Sequence, residues 1–446
     1  MTCNNRVGII KLPSRLVSGV RDVRSDTPDL IERMRNCEPL FWNNPLAGDA
    51  SRALAHAELT FSDVLDAEKR WQRFAPLIRR LFGQPPDGII ESPLVPASGF
   101  KSYLEERFEV GIPGQLFLKC DNRLSIAGSI KARGGLYEVF KHAESLLIAN
   151  GLLTANDNYS KIADPEYRRF LSEYSVAVAS TGNLGLSVGT AAAALGFKTT
   201  VHMSVDAKKW KKELLRRRGA FVIEYSSDYS GAIEQGRIQA SSDPKTHFVD
   251  DENSPDLFLG YSVAALRTSL QISSIVDDRW RRVFFYLPCG VGGAPGGITF
   301  GMKNIYLDRA VCLFAEPTHA PALILGLISG RFDDISARDL GIDGITIADG
   351  LAVTRPSGLV CRTMERLLDG AYTIEDSELL PLLSALKDHC NEKIEPSAAA
   401  ALIGPIHSAR EGICNNDDLH VAWLTGGSMI PEAIFMELYN KGKASY

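Results

Sequence analysis

The run Val283-Phe284-Phe285-Tyr286-Leu287, followed by Pro288-Cys289-Gly290-Val291-Gly292-Gly293-Ala294-Pro295-Gly296-Gly297, sets the architecture. Five consecutive apolar residues read as a strand buried on both faces, the pattern of a parallel sheet. The five glycines in the eight positions from Gly290 exceed what a structural turn needs. Glycine lets the backbone curl until several N–H groups converge on one anion, and the missing Cβ atoms let a phosphate come close. A dinucleotide loop starting at Gly290 would need glycine where Pro295 stands. A Walker A loop would need lysine after Gly301, where Met302 stands. The loop therefore reads as a phosphate cup that does not serve a nucleotide.

Outward from the cup, short apolar runs at 116–119, 176–179, 199–203, 221–224, 311–315 and 421–424 read as further strands. Helical patterns at 130–148, 185–195 and 210–218 alternate with them. Together they predict an α/β fold of two domains with largely parallel open sheets, whose ligands sit in the turns after the strands. Residues 1–95 read differently. They are rich in charge and Pro/Asn, then helical over 64–82, where Ala67, Trp71, Phe74, Leu77, Ile78 and Leu81 recur at helical steps. We take 1–95 as a mainly helical extension packing on a larger domain made of 96–134 and 261–446. A smaller domain is expected over 135–260.

Composition narrows the function. A net charge of −5 over 446 residues lacks the basic field of a nucleic-acid binder. The 8 cysteines include no C-x-x-C pair, so neither a zinc site nor a disulfide framework is expected. Residues 1–17 lack the apolar core of a secretory signal, and no stretch is apolar enough to span a bilayer. The expectation is a cytoplasmic enzyme acting on a small molecule, without membrane or nucleic-acid partners.

Two more turns carry chemistry. Ser129-Ile130-Lys131-Ala132-Arg133-Gly134-Gly135 puts a lysine at the mouth of a helix, whose positive end disfavours the ammonium and favours the neutral amine that imine formation requires. Taken alone, a solvated lysine would be the commoner reading. Ser180-Thr181-Gly182-Asn183-Leu184-Gly185 gathers hydroxyls, a carboxamide and N–H groups at a helix start, suited to a carboxylate or phenolate. Its plainer reading is an N-cap. Cup, amine and carboxylate turn together are what pyridoxal 5′-phosphate demands.

In this order the three motifs resemble the fold-type II pyridoxal-phosphate enzymes, the tryptophan synthase β-like family. The stretches Val201-His202-Met203-Ser204, Asp250-Asp251-Glu252-Asn253-Ser254, Leu257-Phe258-Leu259-Gly260-Tyr261-Ser262-Val263, Phe314-Ala315-Glu316-Pro317-Thr318-His319, Ala348-Asp349-Gly350-Leu351-Ala352-Val353 and Glu395-Pro396-Ser397-Ala398 resemble its bacterial branch acting on D-serine. The likeness runs from about Trp42 to the C-terminus. It departs at Ala294, where relatives tend to carry glycine.

The resemblance implies that Lys131 holds the cofactor covalently and that Asn183 meets its phenolic oxygen. Gly290, Val291, Gly292 and Gly293 would bind its phosphate, and Thr425 would face its ring nitrogen. Ser180 and Thr181 would hold the substrate carboxylate, with Thr181 also catalytic, and Glu316 would bind a cation such as K+. Of the adjacent Asp250 and Asp251 only one can face the site, and Asp251 is taken as the catalytic one. His202 and His319 are read as packing or capping residues. The implied reaction is α,β-elimination converting D-serine, with D-threonine as a second candidate, to pyruvate and ammonia by way of aminoacrylate. An L-serine or L-threonine dehydratase of the same fold stays open, as do a monomer or a homodimer. Rivals from other classes are a nucleotide-dependent oxidoreductase, which Pro295 opposes, and a silent binding protein.

Overall fold

The structure, a computed structural model, describes residues 27–180, 182–205, 207–226, 236–238, 240–275 and 281–445. Residues 1–17, read above for a signal, and Thr181 lie outside them. Eleven strands are defined among the described residues: β1 (Phe41–Asn43), β2 (Leu94–Pro96), β3 (Gln115–Lys119), β4 (Ser175–Ala179), β5 (Lys198–Ser204), β6 (Phe221–Tyr225), β7 (Thr246–Val249), β8 (Val283–Pro288), β9 (Ala310–Pro317), β10 (Gly370–Ile374) and β11 (Leu419–Trp423). They form a seven-stranded sheet, β1-β10-β9-β8-β11-β3-β2, and a four-stranded sheet, β6-β5-β4-β7. Every pairing is parallel except the two outermost of the larger sheet, where β1 joins β10 and β2 joins β3 antiparallel. The fold is α/β with parallel-rich sheets.

Four strands escaped the sequence reading. β1 and β2 have three residues each, too few to show a period; β1 lies within the segment 1–95 read as mainly helical and β2 straddles its end. There they close both edges of the larger sheet, blunting its unpaired backbone. β7, Thr246-His247-Phe248-Val249, is half polar, and β10 opens on glycine.

Helix Phe61–Phe82 starts at a Thr60/Asp63 capping box and stops at Gly83, whose φ of +69° only glycine adopts without strain. Its buried stripe runs Val64, Ala67, Trp71, Phe74, Leu77 and Ile78, while Leu81 is half-buried. The stripe packs on helix Lys131–Ala149, with the Phe74 and Phe140 rings stacked at 4.9 Å. Arg70 and Arg73 seal the contact on Glu144 at 2.5 and 2.8 Å. The expected boundaries at 134/135 and 260/261 both fall inside continuous helices, Lys131–Ala149 and Pro255–Ile275. The seven described cysteines are all free, and none of the described helices is long and apolar enough to cross a membrane.

Candidate active site

Five turns at the carboxyl ends of strands converge: after β3 (leading to Lys131), β4 (Ser180), β7 (Asp251), β8 (the glycine cup) and β11 (Thr425). This is where open parallel sheets place ligands.

The lysine turn is fixed by backbone and by buried charge. Ser129 bridges Gly426, and the Ile130 N–H donates to the Thr425 carbonyl at 2.7 Å. Lys131 then opens its helix. Beneath it the Arg133 guanidinium donates to Asp121 at 2.7 Å and to Glu91 at 2.5 Å. Trp423 Nε1 donates to Asp121 at 2.9 Å, and Lys119 Nζ to Glu91 at 2.7 Å. Burial opposes the charge on Glu91, yet Arg133 and Lys119 outweigh it and hold that carboxyl far below its ordinary range.

Lys131 Nζ donates to Asp251 Oδ2 at 3.1 Å and Oδ1 at 3.2 Å, and lies 5.6 Å from the centre of the Tyr261 ring. The sequence reading of this amine considered only the helix end and gave it no carboxylate partner. The adjacent Asp250 turns away and accepts from Arg237 at 2.7 Å. The Tyr261 hydroxyl is buried without a partner among the described residues, and burial pushes its pKa well above the ordinary value.

In the cup, Gly292 takes φ +111° and passes the chain into helix Gly293–Tyr306. The N–H groups of Gly290, Val291, Gly292 and Gly293 have no hydrogen-bond acceptor among the described residues, although the last three residues are buried. Buried donors of this kind call for an anion. A Cβ on Gly293 would stand 3.7 Å from the Asp251 carbonyl and 3.8 Å from its Oδ1, so cup and lysine share one crevice. An amine in reach of unsatisfied N–H groups fits a phosphorylated aldehyde.

Across the crevice, Gly182 N–H donates to Ser180 Oγ at 3.2 Å, and Asn183 opens helix Asn183–Leu195. Asn183 Nδ2 donates to Glu395 Oε1 at 2.7 Å. Lys211 Nζ pairs with Asp349 at 3.3 Å and stands 3.8 Å from where a Cβ on Gly182 would lie. Burial raises the Glu395 carboxyl against the pull of Lys211. Burial also opposes ionisation of Asp349, but there Lys211 and Lys208 prevail and lower it. Glu395, Asp349 and Tyr261 stood inside stretches quoted for the family resemblance without receiving a role. Nothing in the sequence singled out Lys211.

Glu316 lies in β9, and its two oxygens accept the N–H groups of Leu323 and Ile324 at 2.8 Å each, at the start of helix Ala322–Ser329. Burial pushes its carboxyl up to about 8 despite those bonds. Among the described residues no cluster of three or more His, Cys, Asp or Glu is arranged to hold a metal ion. His202 Nδ1 pairs with the Tyr225 hydroxyl at 2.8 Å, and His319 with Asp343 at 2.9 Å.

Known proteins resemble this chain in sequence and in fold. A family model described as pyridoxal-phosphate dependent enzyme matches residues 86–426. A probable D-serine dehydratase of Carboxydothermus hydrogenoformans is 54% identical over 420 residues, covering 93% of this chain and 98% of the relative. One of Bacillus mycoides is 51% identical over 427 residues, covering 93% and 96%. Among solved structures, Escherichia coli diaminopropionate ammonia lyase in complex with D-serine superposes with a TM-score of 0.68 at 17% identity, covering 92% and 99% of the two chains. Threonine deaminase isoform 2 of Solanum lycopersicum does so with a TM-score of 0.60 at 20% identity, covering 90% and 92%. At these identities the structural likeness speaks for the fold.

Proposed function

The chain belongs to the family of pyridoxal-phosphate dependent enzymes, and on that premise we propose that it eliminates water from D-serine to give pyruvate and ammonia. When bound, pyridoxal 5′-phosphate supplies an aldehyde for the substrate amine and a ring that accepts electron density from Cα. The chain does the rest. The N–H groups of Gly290, Val291, Gly292 and Gly293 would hold the phosphate, Asn183 would meet the phenolic oxygen and Thr425 the ring nitrogen. Ser180 and Thr181 orient the substrate by its carboxylate. Lys131 Nζ would take the Cα proton, while Asp251, 3.1 Å away, fixes that nitrogen and balances the charge it acquires. The β-hydroxyl would depart with one proton as water, balanced by the proton that Lys131 takes from Cα. The enamine that is released takes a water back in hydrolysis, so pyruvate and ammonia account for every atom of D-serine.

One observation carries this reading: the ion pair of Lys131 and Asp251 lies beside the cup's Gly293. The same reading gives Glu316 a monovalent cation, K+, as ligand, makes 135–260 the smaller domain that closes over substrate, and sets the reaction in the cytoplasm. Purified protein mixed with D- or L-serine, with pyruvate followed over time, tests it. Faster turnover of the L isomer would overturn the stereochemical assignment. A colourless protein that takes up no pyridoxal phosphate would overturn the whole.

A further inference from the structure

A groove of about 500 Å³ lies between the end of helix Phe61–Phe82, the turn preceding Lys131 and the helices around the four-stranded sheet. None of its lining residues belongs to the crevice described above. Phe82, Ile126 and Ala193 give it an apolar wall, and Arg168 and Arg218 give it positive charge. Its size suits a small molecule.

Arg218 follows the last turn of helix Lys209–Arg217 and is half-buried. Its Nη1 donates to the Ile126 carbonyl at 3.0 Å and to Thr190 Oγ1 at 2.8 Å. Its Nε and Nη2 have no acceptor among the described residues, and no carboxylate there offsets its charge: burial and Arg217 both lower its pKa. Arg168 is exposed, and the acid one turn before it, Asp164, is taken by Arg80 at 2.7 Å. A guanidinium drawn out of water without a counter-charge is unfavourable, so an anion is welcome here.

The rest of the groove limits which anion. Helices Phe61–Phe82, Asn183–Leu195 and Lys209–Arg217 all end on it. Their carbonyl ends carry partial negative charge, which offsets part of the positive field and weighs against a dianion. One carboxylate matches the planar fork of a guanidinium in bidentate fashion, and a hydrocarbon body matches the apolar wall. The groove also adjoins the catalytic turn. Ile126 is a β-branched residue held at φ +75°, a conformation that survives only where its surroundings enforce it. The Arg218 bond to its carbonyl is one such constraint, five residues before Lys131.

We propose that this groove binds a small organic monocarboxylate with an apolar body, with Arg218 as its anion contact and Arg168 at its rim. Calorimetric titration of the holoenzyme with 3-phenylpropionate tests this. One saturable site per chain is expected, binding at least about tenfold more tightly than the uncharged 3-phenylpropanol, as a charge-assisted pair requires. Arg218→Met keeps the apolar stem and should weaken binding by about the same factor. Ala193→Phe fills the groove while leaving Arg218 in place, and should abolish binding. Absence of saturable heat, or an affinity unchanged by Ala193→Phe, overturns the proposal, the latter by placing the ligand elsewhere, such as at the substrate turn. Displacement by an equal concentration of inorganic phosphate would overturn the monocarboxylate assignment. Should Arg218→Met fail to fold, Ala193→Phe and the comparison with 3-phenylpropanol still decide. Because binding is what is read, the result stands whether or not D-serine is the substrate.

Discussion

Lys131 and Asn183 each open a helix after a parallel strand, yet their surroundings differ. Under Lys131, Arg133, Asp121, Glu91, Lys119 and Trp423 form one buried network. The helix it starts leaves no room at its glycines: a Cβ on Gly134 would come within 2.4 Å of the Tyr261 ring, and one on Gly135 within 2.7 Å of Ser187 Oγ. Beside Asn183, a Cβ on Gly182 would meet only Lys211 Nζ within 4 Å among the described residues. That turn is tied to residues beyond the four-stranded sheet by Asn183 with Glu395, and the neighbouring Lys211, on helix Lys209–Arg217, pairs with Asp349. The amine side is set before substrate arrives, whereas the turn side has space and few ties. A reaction that needs a fixed nitrogen and a substrate that must enter and leave is served by that division.

The sharpest way to break the comparison is to remove the fixed nitrogen. Lys131→Ala is expected to lower pyruvate formation at least about a thousandfold and to abolish the visible absorbance of the bound cofactor. A variant keeping both would take Lys131 out of its role. Next comes the network beneath. Arg133→Met leaves the fully buried Asp121 without its cation, while Glu91 keeps Lys119, and should cost about 3–5 kcal/mol in urea unfolding. A loss below about 1 kcal/mol, typical of an exposed ion pair, would mean that the two turns are anchored alike after all.

The strand beside the cup's own offers a pH test. Glu316 titrates near 8 in the folded chain against an ordinary 4.5, so the folded state keeps a proton that the unfolded chain has lost. Its stabilising contribution is full below about 4.5 and falls as pH rises toward 8, at up to about 1.4 kcal/mol per unit. Glu316→Gln should remove that slope, so the variant gains on the wild type between pH 5 and 8 in unfolding titrations. Added K+ that restored the wild type at pH 8, but did nothing for the variant, would support a cation at Glu316.

How much of this was legible in sequence follows from the same division. The cup, the lysine turn and the Ser-Thr-Gly-Asn turn were visible because glycines, hydroxyls and a lysine sit contiguously after apolar strands. The partners were not. Glu91 with Arg133, Glu395 with Asn183 and Asp349 with Lys211 are 42, 212 and 138 residues apart, and no local period signals such a pairing. Strands β1, β2 and β7 were hidden for another reason, being too short or too polar to alternate. The 64–82 helix was plain because its apolar stripe repeats over five turns.

The smallest effect is expected where the ties are weakest. Asp349 is about one-third exposed, at 34%, and Lys211 is buried at 3%, so solvent screens the pair from one side only. Asp349→Asn should cost no more than about 1 kcal/mol of binding, about fivefold in KM for D-serine, with kcat changed less. Salt separates this from a packing defect: the wild-type KM should climb toward the variant's as ionic strength rises, because screening weakens the partly exposed pair, while the variant's stays level. A kcat that fell with KM unchanged would instead place Asp349 with the fixed groups around Lys131, and the contrast between the two sides of the crevice would fail at the point where it is thinnest.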